Sequence, residues 1–188
     1  MKRRLAIIFL TLFLPLAMFG QKEYHGDGID DVLRFVPLAS AITLKSCGVE
    51  SRSQWKPFLL NIAISSGITV ATTYTLKHTI SSERPDGTDH HSFPSGHTSF
   101  AFSGAHLLHK EFGHQSPWIS VAGYAVATAT ALDRIRRNRH HWPDVAAGAA
   151  IGILSTELSY YLTPRLFPKA SSSRLSLSPT TVTLCLTL

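Results

Sequence analysis

The 188-residue sequence holds only two cysteines, Cys47 and Cys185. Two thiols cannot build a disulfide framework, and no Cys-x-x-Cys spacing is present to suggest a zinc or redox motif. No internal repeat and no low-complexity linker divides the chain, so its length fits one domain with a real core. Acidic residues are in short supply: 12 Asp and Glu stand against 18 Lys and Arg, giving a net charge of +6 and a pI near 9.6. That surplus fits anionic partners, whether phosphorylated molecules, nucleic acid or lipid headgroups. It is concentrated at the extreme N-terminus and at residues 134–139.

Long apolar runs are also few. The first, Leu5 to Phe19, follows the basic start MKRR and ends at small Gly20 before polar Gln21. This pattern is that of an export signal over residues 1–20, with an uncleaved membrane anchor as the other reading. No cysteine stands at the boundary, which argues against a lipoprotein. Either reading puts the working face outside the cytoplasm.

Past a polar lead-in at 21–30, the pattern predicts an all-α bundle of five helices, roughly 30–45, 57–77, 97–111, 117–133 and 143–162. The second and fifth are almost free of charge and rich in small residues, as close helix packing favours. Both reach the roughly 20 residues a membrane span needs. Mean hydropathy over the whole chain is only +0.09, so the bundle stands between soluble and embedded. Pro143 suits the first turn of the last helix. Pro164 and Pro168 are expected to end the helical part. This divides the chain into a leader (1–20), a domain (21–166) and a tail (167–188), whose alternating sequence LSLSPTTVTLCLTL predicts one or two short strands.

Three polar clusters fall at predicted helix ends. Lys77 is followed by Arg84-Pro85 after six residues. Pro94-Ser95-Gly96-His97 opens the third helix, where free backbone N–H groups and the helix dipole favour an anion. Arg134 precedes His140 by six positions, and Asp144 follows it by four. Each cluster alone has a structural explanation: solvated charges, a helix cap, a packed histidine. Together they supply what phosphomonoester hydrolysis without a metal requires. Two arginines and a lysine hold the phosphoryl charge. One neutral histidine attacks phosphorus and a carboxylate fixes its tautomer. A second histidine protonates the leaving alkoxide.

The spacing K-x6-RP, PSGH, R-x5-H-x3-D resembles the type 2 phosphatidic acid phosphatase (PAP2) superfamily, from about residue 57 to 162. The resemblance implies that Lys77, Arg84 and Arg134 bind phosphate and that Ser95 and Gly96 donate hydrogen bonds to it. It implies His97 as general acid, His140 as nucleophile and Asp144 as its orienting partner, with no cofactor and no metal. Asp133 stands where the family has serine; a carboxylate there must turn away or pair with arginine. His78, His90, His91 and His141 lie near the motifs; adjacent histidines are poor converging zinc ligands, and His90 and His91 are placed at the entrance. The arginine run is read as phosphate and headgroup binding rather than nucleic-acid binding.

The expected activity is hydrolysis of a lipid phosphate (lipid A phosphate, an isoprenoid diphosphate or a phospholipid phosphate) at the periplasmic face, through a phosphohistidine. The alternatives are a soluble periplasmic acid phosphatase and a non-catalytic module that binds anionic lipid.

Overall fold

Pro37 decides how the helical part begins. With no N–H to offer and a ring that crowds the preceding turn, it cannot sit inside a continuous helix. The expected helix 30–45 is therefore two: α1 (Ile29–Leu33) and α2 (Val36–Ser46), joined by a turn at Arg34 and Phe35, with Pro37 in the first turn of α2. Four more helices follow: α3 (Trp55–Thr79), α4 (Gly96–Phe112), α5 (Pro117–Arg136) and α6 (Trp142–Leu166). This computed structural model describes residues 28–167, and as backbone the strands β1 (Arg174–Ser178) and β2 (Thr181–Cys185). The leader at 1–20, most of the polar lead-in and Pro168 lie outside the described residues.

One boundary differs from expectation. Pro164 does not end α6, which runs on to Leu166. Its missing donor concerns only the Tyr160 carbonyl, in a last turn that frays into solvent. The tail forms the expected strands, paired antiparallel with Arg174 opposite Cys185 and Ser178 opposite Thr181.

α4 is the centre of the bundle and touches every other described helix. It lies closest to α6, because Gly148 and Gly152 remove the side chains that would separate them. A Cβ at Gly152 would stand 2.3 Å from the Ser99 carbonyl oxygen, and one at Gly148 2.7 Å from that of Ser95. Across this contact the Ser103 and Thr156 hydroxyls are 3.0 Å apart.

The interior is unusual in composition. Leu44, Phe58, Leu107, Leu108, Phe112 and Ile119 fill one end. Much of the remaining interior is small and polar: Thr69, Ser99, Ser103, Thr130, Thr156 and Ser159. Large apolar side chains instead face outward, among them Leu59, Val70, Val121, Leu132 and Leu154. α3 and α6 are both long and apolar enough to cross a membrane, and only 22% and 33% of their most apolar stretches is buried within the bundle.

Candidate active site

The three clusters arrive at one end of the bundle because the helices alternate in direction. α3 and α5 deliver Lys77 and Arg134 in their last turns; α4 and α6 start there with His97 and Asp144. Between α3 and α4 the chain makes a tight excursion closed by backbone bonds Ser82 N–H to His90 O and Ser92 N–H to Ser82 O. Gly87 turns it at φ 69°. Asp89 accepts from Arg84 Nε at 2.8 Å, and Arg84 Nη1 donates to the Arg139 carbonyl at 3.2 Å, so this guanidinium is fixed at both edges. Lys77 Nζ donates to the His91 carbonyl at 2.7 Å.

After α5, Asn138 in the left-handed region (φ 54°) folds the chain back so that Arg139 N–H reaches the Arg134 carbonyl. His140 is thereby carried inward and is 2% exposed. Burial first, then the charges of Arg134, Lys77 and Arg84, push its pKa down to about 2. The ring is thereby held neutral. Its Nδ1 faces Asp144 Oδ2 at 3.5 Å, too far for a hydrogen bond. The Ser92 hydroxyl serves both: it donates to Asp144 Oδ2 at 2.5 Å and lies 3.4 Å from Nδ1. Asp144 also accepts from the His141 N–H at 2.9 Å, capping α6. Among the described residues, His140 Nε2 has no hydrogen-bond partner.

Ser95 is wholly buried, and its backbone N–H donates to the Asp144 carbonyl at 3.0 Å. Its amide is thus engaged within the fold; the amides of Gly96 and His97, at the start of α4, are the helix donors pointing past its end. Gly96 lies beside Lys77, whose Cε would be 3.9 Å from a Cβ there. Asp133 turns away from the site and pairs with Arg136 at 2.9 Å. The arginine run is less free than its spelling suggests: Arg137 and Arg139 also meet carboxylates, those of Asp30 and Asp86. The His78 and His91 rings meet at a tilt of 56°, with centroids 5.4 Å apart.

Sequence reasoning missed Ser92 and the whole contribution of α1. Asp30 is fully buried and accepts from Arg134 Nη1 at 2.5 Å and Arg137 Nη1 at 2.7 Å. Burial works against its charge, but Arg134, His97 and Arg137 outweigh it and hold its pKa below the usual carboxylate range. Asp31 lies 2.5 Å from His97 Nε2. Arg134 Nε is buried and has no partner among the described residues. Asp30, Asp31 and His97 bring three potential metal ligands within 4.8 Å of one another. Both Asp30 oxygens are already taken by guanidinium groups, however, and a cation there would face Arg134, Arg137 and Arg34 together. The charge balance favours an anion beside this cluster rather than a cation within it.

The chain is 42% identical over 153 residues to the lipid A 1-phosphatase of Porphyromonas gingivalis, covering 81% of this chain and 34% of that protein. It is 35% identical over 88 residues to a probable diacylglycerol pyrophosphate phosphatase of Schizosaccharomyces pombe, covering 41% of this chain and 30% of that one. The chain thus spans about a third of the length of these curated relatives. The crystal structure of Aquifex aeolicus LpxE superposes with a TM-score of 0.56 at 19% identity, over 81% of this chain and 94% of that one, a likeness of fold. The family profile described as the PAP2 superfamily matches residues 52–168, a stretch that contains every motif position from Lys77 to Asp144, and the chain belongs to that superfamily.

Proposed function

We propose that this chain is a metal-independent phosphatase that hydrolyses the phosphate ester of a lipid at the outer face of a membrane, through a phosphohistidine on His140. The observation that carries the reading is the convergence on Arg134. It lies close enough to both His97 and His140 to depress the pKa of each, and its buried Nε still lacks an acceptor. A phosphoryl oxygen accepted there would lie within the electrostatic reach of both imidazoles. Lys77, Arg84 and the amides of Gly96 and His97 complete a cationic cradle for the charge that builds in the transition state.

In the first step His140 Nε2 attacks phosphorus while His97 gives a proton to the departing ester oxygen. In the second, neutral His97 takes a proton from water as that water attacks the phosphohistidine, and His140 is released. Asp144 and Ser92 hold the Nδ1 side of His140, so that Nε2 presents its lone pair.

The outer surface supports a lipid substrate. Trp55 and Tyr74 are 19 positions apart on α3, Trp142 and Tyr161 19 apart on α6, and all four are exposed. At 1.5 Å per residue each pair spans about 28 Å, close to the thickness of a bilayer core. Because the helices run antiparallel, Tyr74 and Trp142 mark one level and Trp55 and Tyr161 the other, as interfacial aromatic belts do. The active end opens near the Tyr74–Trp142 level, where a headgroup phosphate would lie. The relative from Porphyromonas gingivalis makes lipid A phosphate the first substrate to try.

The test is a panel of lipid A, isoprenoid diphosphate, phosphatidylglycerol phosphate and soluble esters, assayed with purified protein in detergent. Faster turnover of a lipid phosphate is expected; preference for soluble esters would move the reading to a soluble acid phosphatase. Orthovanadate should inhibit and EDTA should not, and loss of activity to chelator with rescue by zinc would contradict the metal-free mechanism.

A further inference from the structure

α1 is too short to be placed by periodicity, and nothing in the motif spacing connects residue 31 to residue 97. Yet the hydrogen bonds of the His97 ring all run through one nitrogen. Asp31 Oδ1 lies 2.5 Å from Nε2, and Arg34 Nη1 lies 3.0 Å from the same atom. One ring nitrogen cannot serve both. An ionised carboxylate only accepts and a guanidinium only donates. The shorter contact, to Asp31, makes Nε2 the protonated nitrogen and leaves Arg34 as a neighbouring charge, 4.0 Å from Asp31 itself. The other oxygen of Asp31 accepts from the Gly28 N–H at 3.0 Å, which anchors the carboxylate at the start of α1. Among the described residues, His97 Nδ1 has no hydrogen-bond partner.

We propose that Asp31 is the positioning carboxylate of His97: it holds Nε2–H, fixes the ring, and leaves Nδ1–H as the proton donor to the departing oxygen. The assignment rests on the phosphatase reading above. It gives each histidine a carboxylate on the side of the nitrogen that does no chemistry: Asp31 in hydrogen-bond contact with Nε2 of His97, and Asp144, linked through the Ser92 hydroxyl, facing Nδ1 of His140. The proton count closes. Nδ1–H passes to the ester oxygen as the P–O bond breaks, Nε2–H stays on Asp31, and Nδ1 is regenerated by the attacking water.

Asp31 has a second effect through charge. His97 stands at the open end of the bundle, outside α3 and α6, with its side chain 20% exposed. Burial lowers its pKa, the bond to Asp31 opposes that, Arg134 of α5 and Arg34 of the turn after α1 lower it further, and Asp30 pulls back upward. Asp31 is the main group keeping the ring basic enough to carry a proton beside the guanidinium groups of Arg134 and Arg34.

The test measures the His97 titration directly, in micelle-bound protein carrying labelled histidine, with the signal assigned by its loss in His97→Gln. Asp31→Asn keeps an acceptor for Gly28 and removes the charge; it should lower the His97 midpoint by about one unit or more. Arg34→Gln should raise it. A general loosening of α1 would not move the midpoint in opposite directions. Kinetically, Asp31→Asn should cut kcat/KM for an alkyl phosphate about 10- to 100-fold but leave p-nitrophenyl phosphate within about threefold, because that leaving group needs no acid. Asp31→Glu should restore part of the loss. An unmoved midpoint in Asp31→Asn, an equal loss on both esters, or a gain in rate that marks α1 as a plug would each overturn the proposal. Both midpoint shifts in the variants, together with a wild-type protein that hydrolyses neither ester, would instead sink the phosphatase reading and leave the pairing standing.

Discussion

A histidine that attacks phosphorus must carry a lone pair when its substrate arrives. The proposed nucleophile, His140, is suited to this by its burial first and then by the fixed cations around it, both of which oppose a positive charge on the ring. Replacing it, His140→Ala, should lower turnover by about three orders of magnitude or more, read from kcat on any substrate the protein accepts. Ser92→Ala should be milder, about 10- to 100-fold in kcat, since it loosens the grip on Nδ1 without removing the nucleophile.

The pH signs follow from the same groups. The His140 ring in the folded protein resists protonation well below its ordinary value of about 6.5. Below that pH the unfolded chain binds the proton that the fold refuses, so stability at this site is complete above about pH 6.5 and declines as pH falls. Thermal unfolding at pH 7.5 and pH 5 should show a drop that is smaller in His140→Gln. His97 must be protonated to act, and its pKa is lowered in the free protein. The alkaline limb of kcat/KM should therefore lie below the ordinary histidine range.

The motif residues were legible in the sequence because their spacing is local: each cluster lies within one helix end and the next few residues. Asp30, Asp31 and Ser92 were not. They reach the site across gaps of 104, 66 and 52 positions respectively, to Arg134, His97 and Asp144. No periodicity links such positions; only the tertiary fold does.

At the level of elements, the sequence spoke through its small residues and its prolines, and the prolines were the harder to read. Pro37 splits a helix that hydrophobic pattern alone runs together, and the break is what frees α1 to turn its aspartates toward α4 and α5. Pro164, by contrast, is accommodated near a helix end where little opposes it. The glycines of α6 make a sharper statement. Because Gly152 faces the Ser99 carbonyl at a distance no Cβ tolerates, Gly152→Ala must push α6 from α4. It should cost about 1–3 kcal/mol, measured by unfolding in detergent. Gly67, on the outer side of α3 with nothing near it, is the control: alanine there should be neutral or slightly stabilising.

At the scale of the bundle, the described residues pack many serines and threonines inside beside one apolar cluster and turn leucine, valine and tryptophan outward. In water such a surface would be an aggregation hazard; against lipid it is the favourable arrangement. The protein should stay with membranes through a carbonate wash, and release into the supernatant would contradict the embedded reading of α3 and α6. Composition alone left this undecided, because mean hydropathy does not record which way each apolar side chain points.

The most direct test of the mechanism uses His97→Ala with p-nitrophenyl phosphate carrying a labelled phosphoryl group. Phosphorylation of His140 should proceed, since this leaving group needs no acid, while hydrolysis of the phosphoenzyme slows for want of a base. The account predicts a burst of p-nitrophenol close to one per active site, with an acid-labile, alkali-stable label on the peptide containing His140. Steady turnover with no burst, or a label on any other residue, would contradict it.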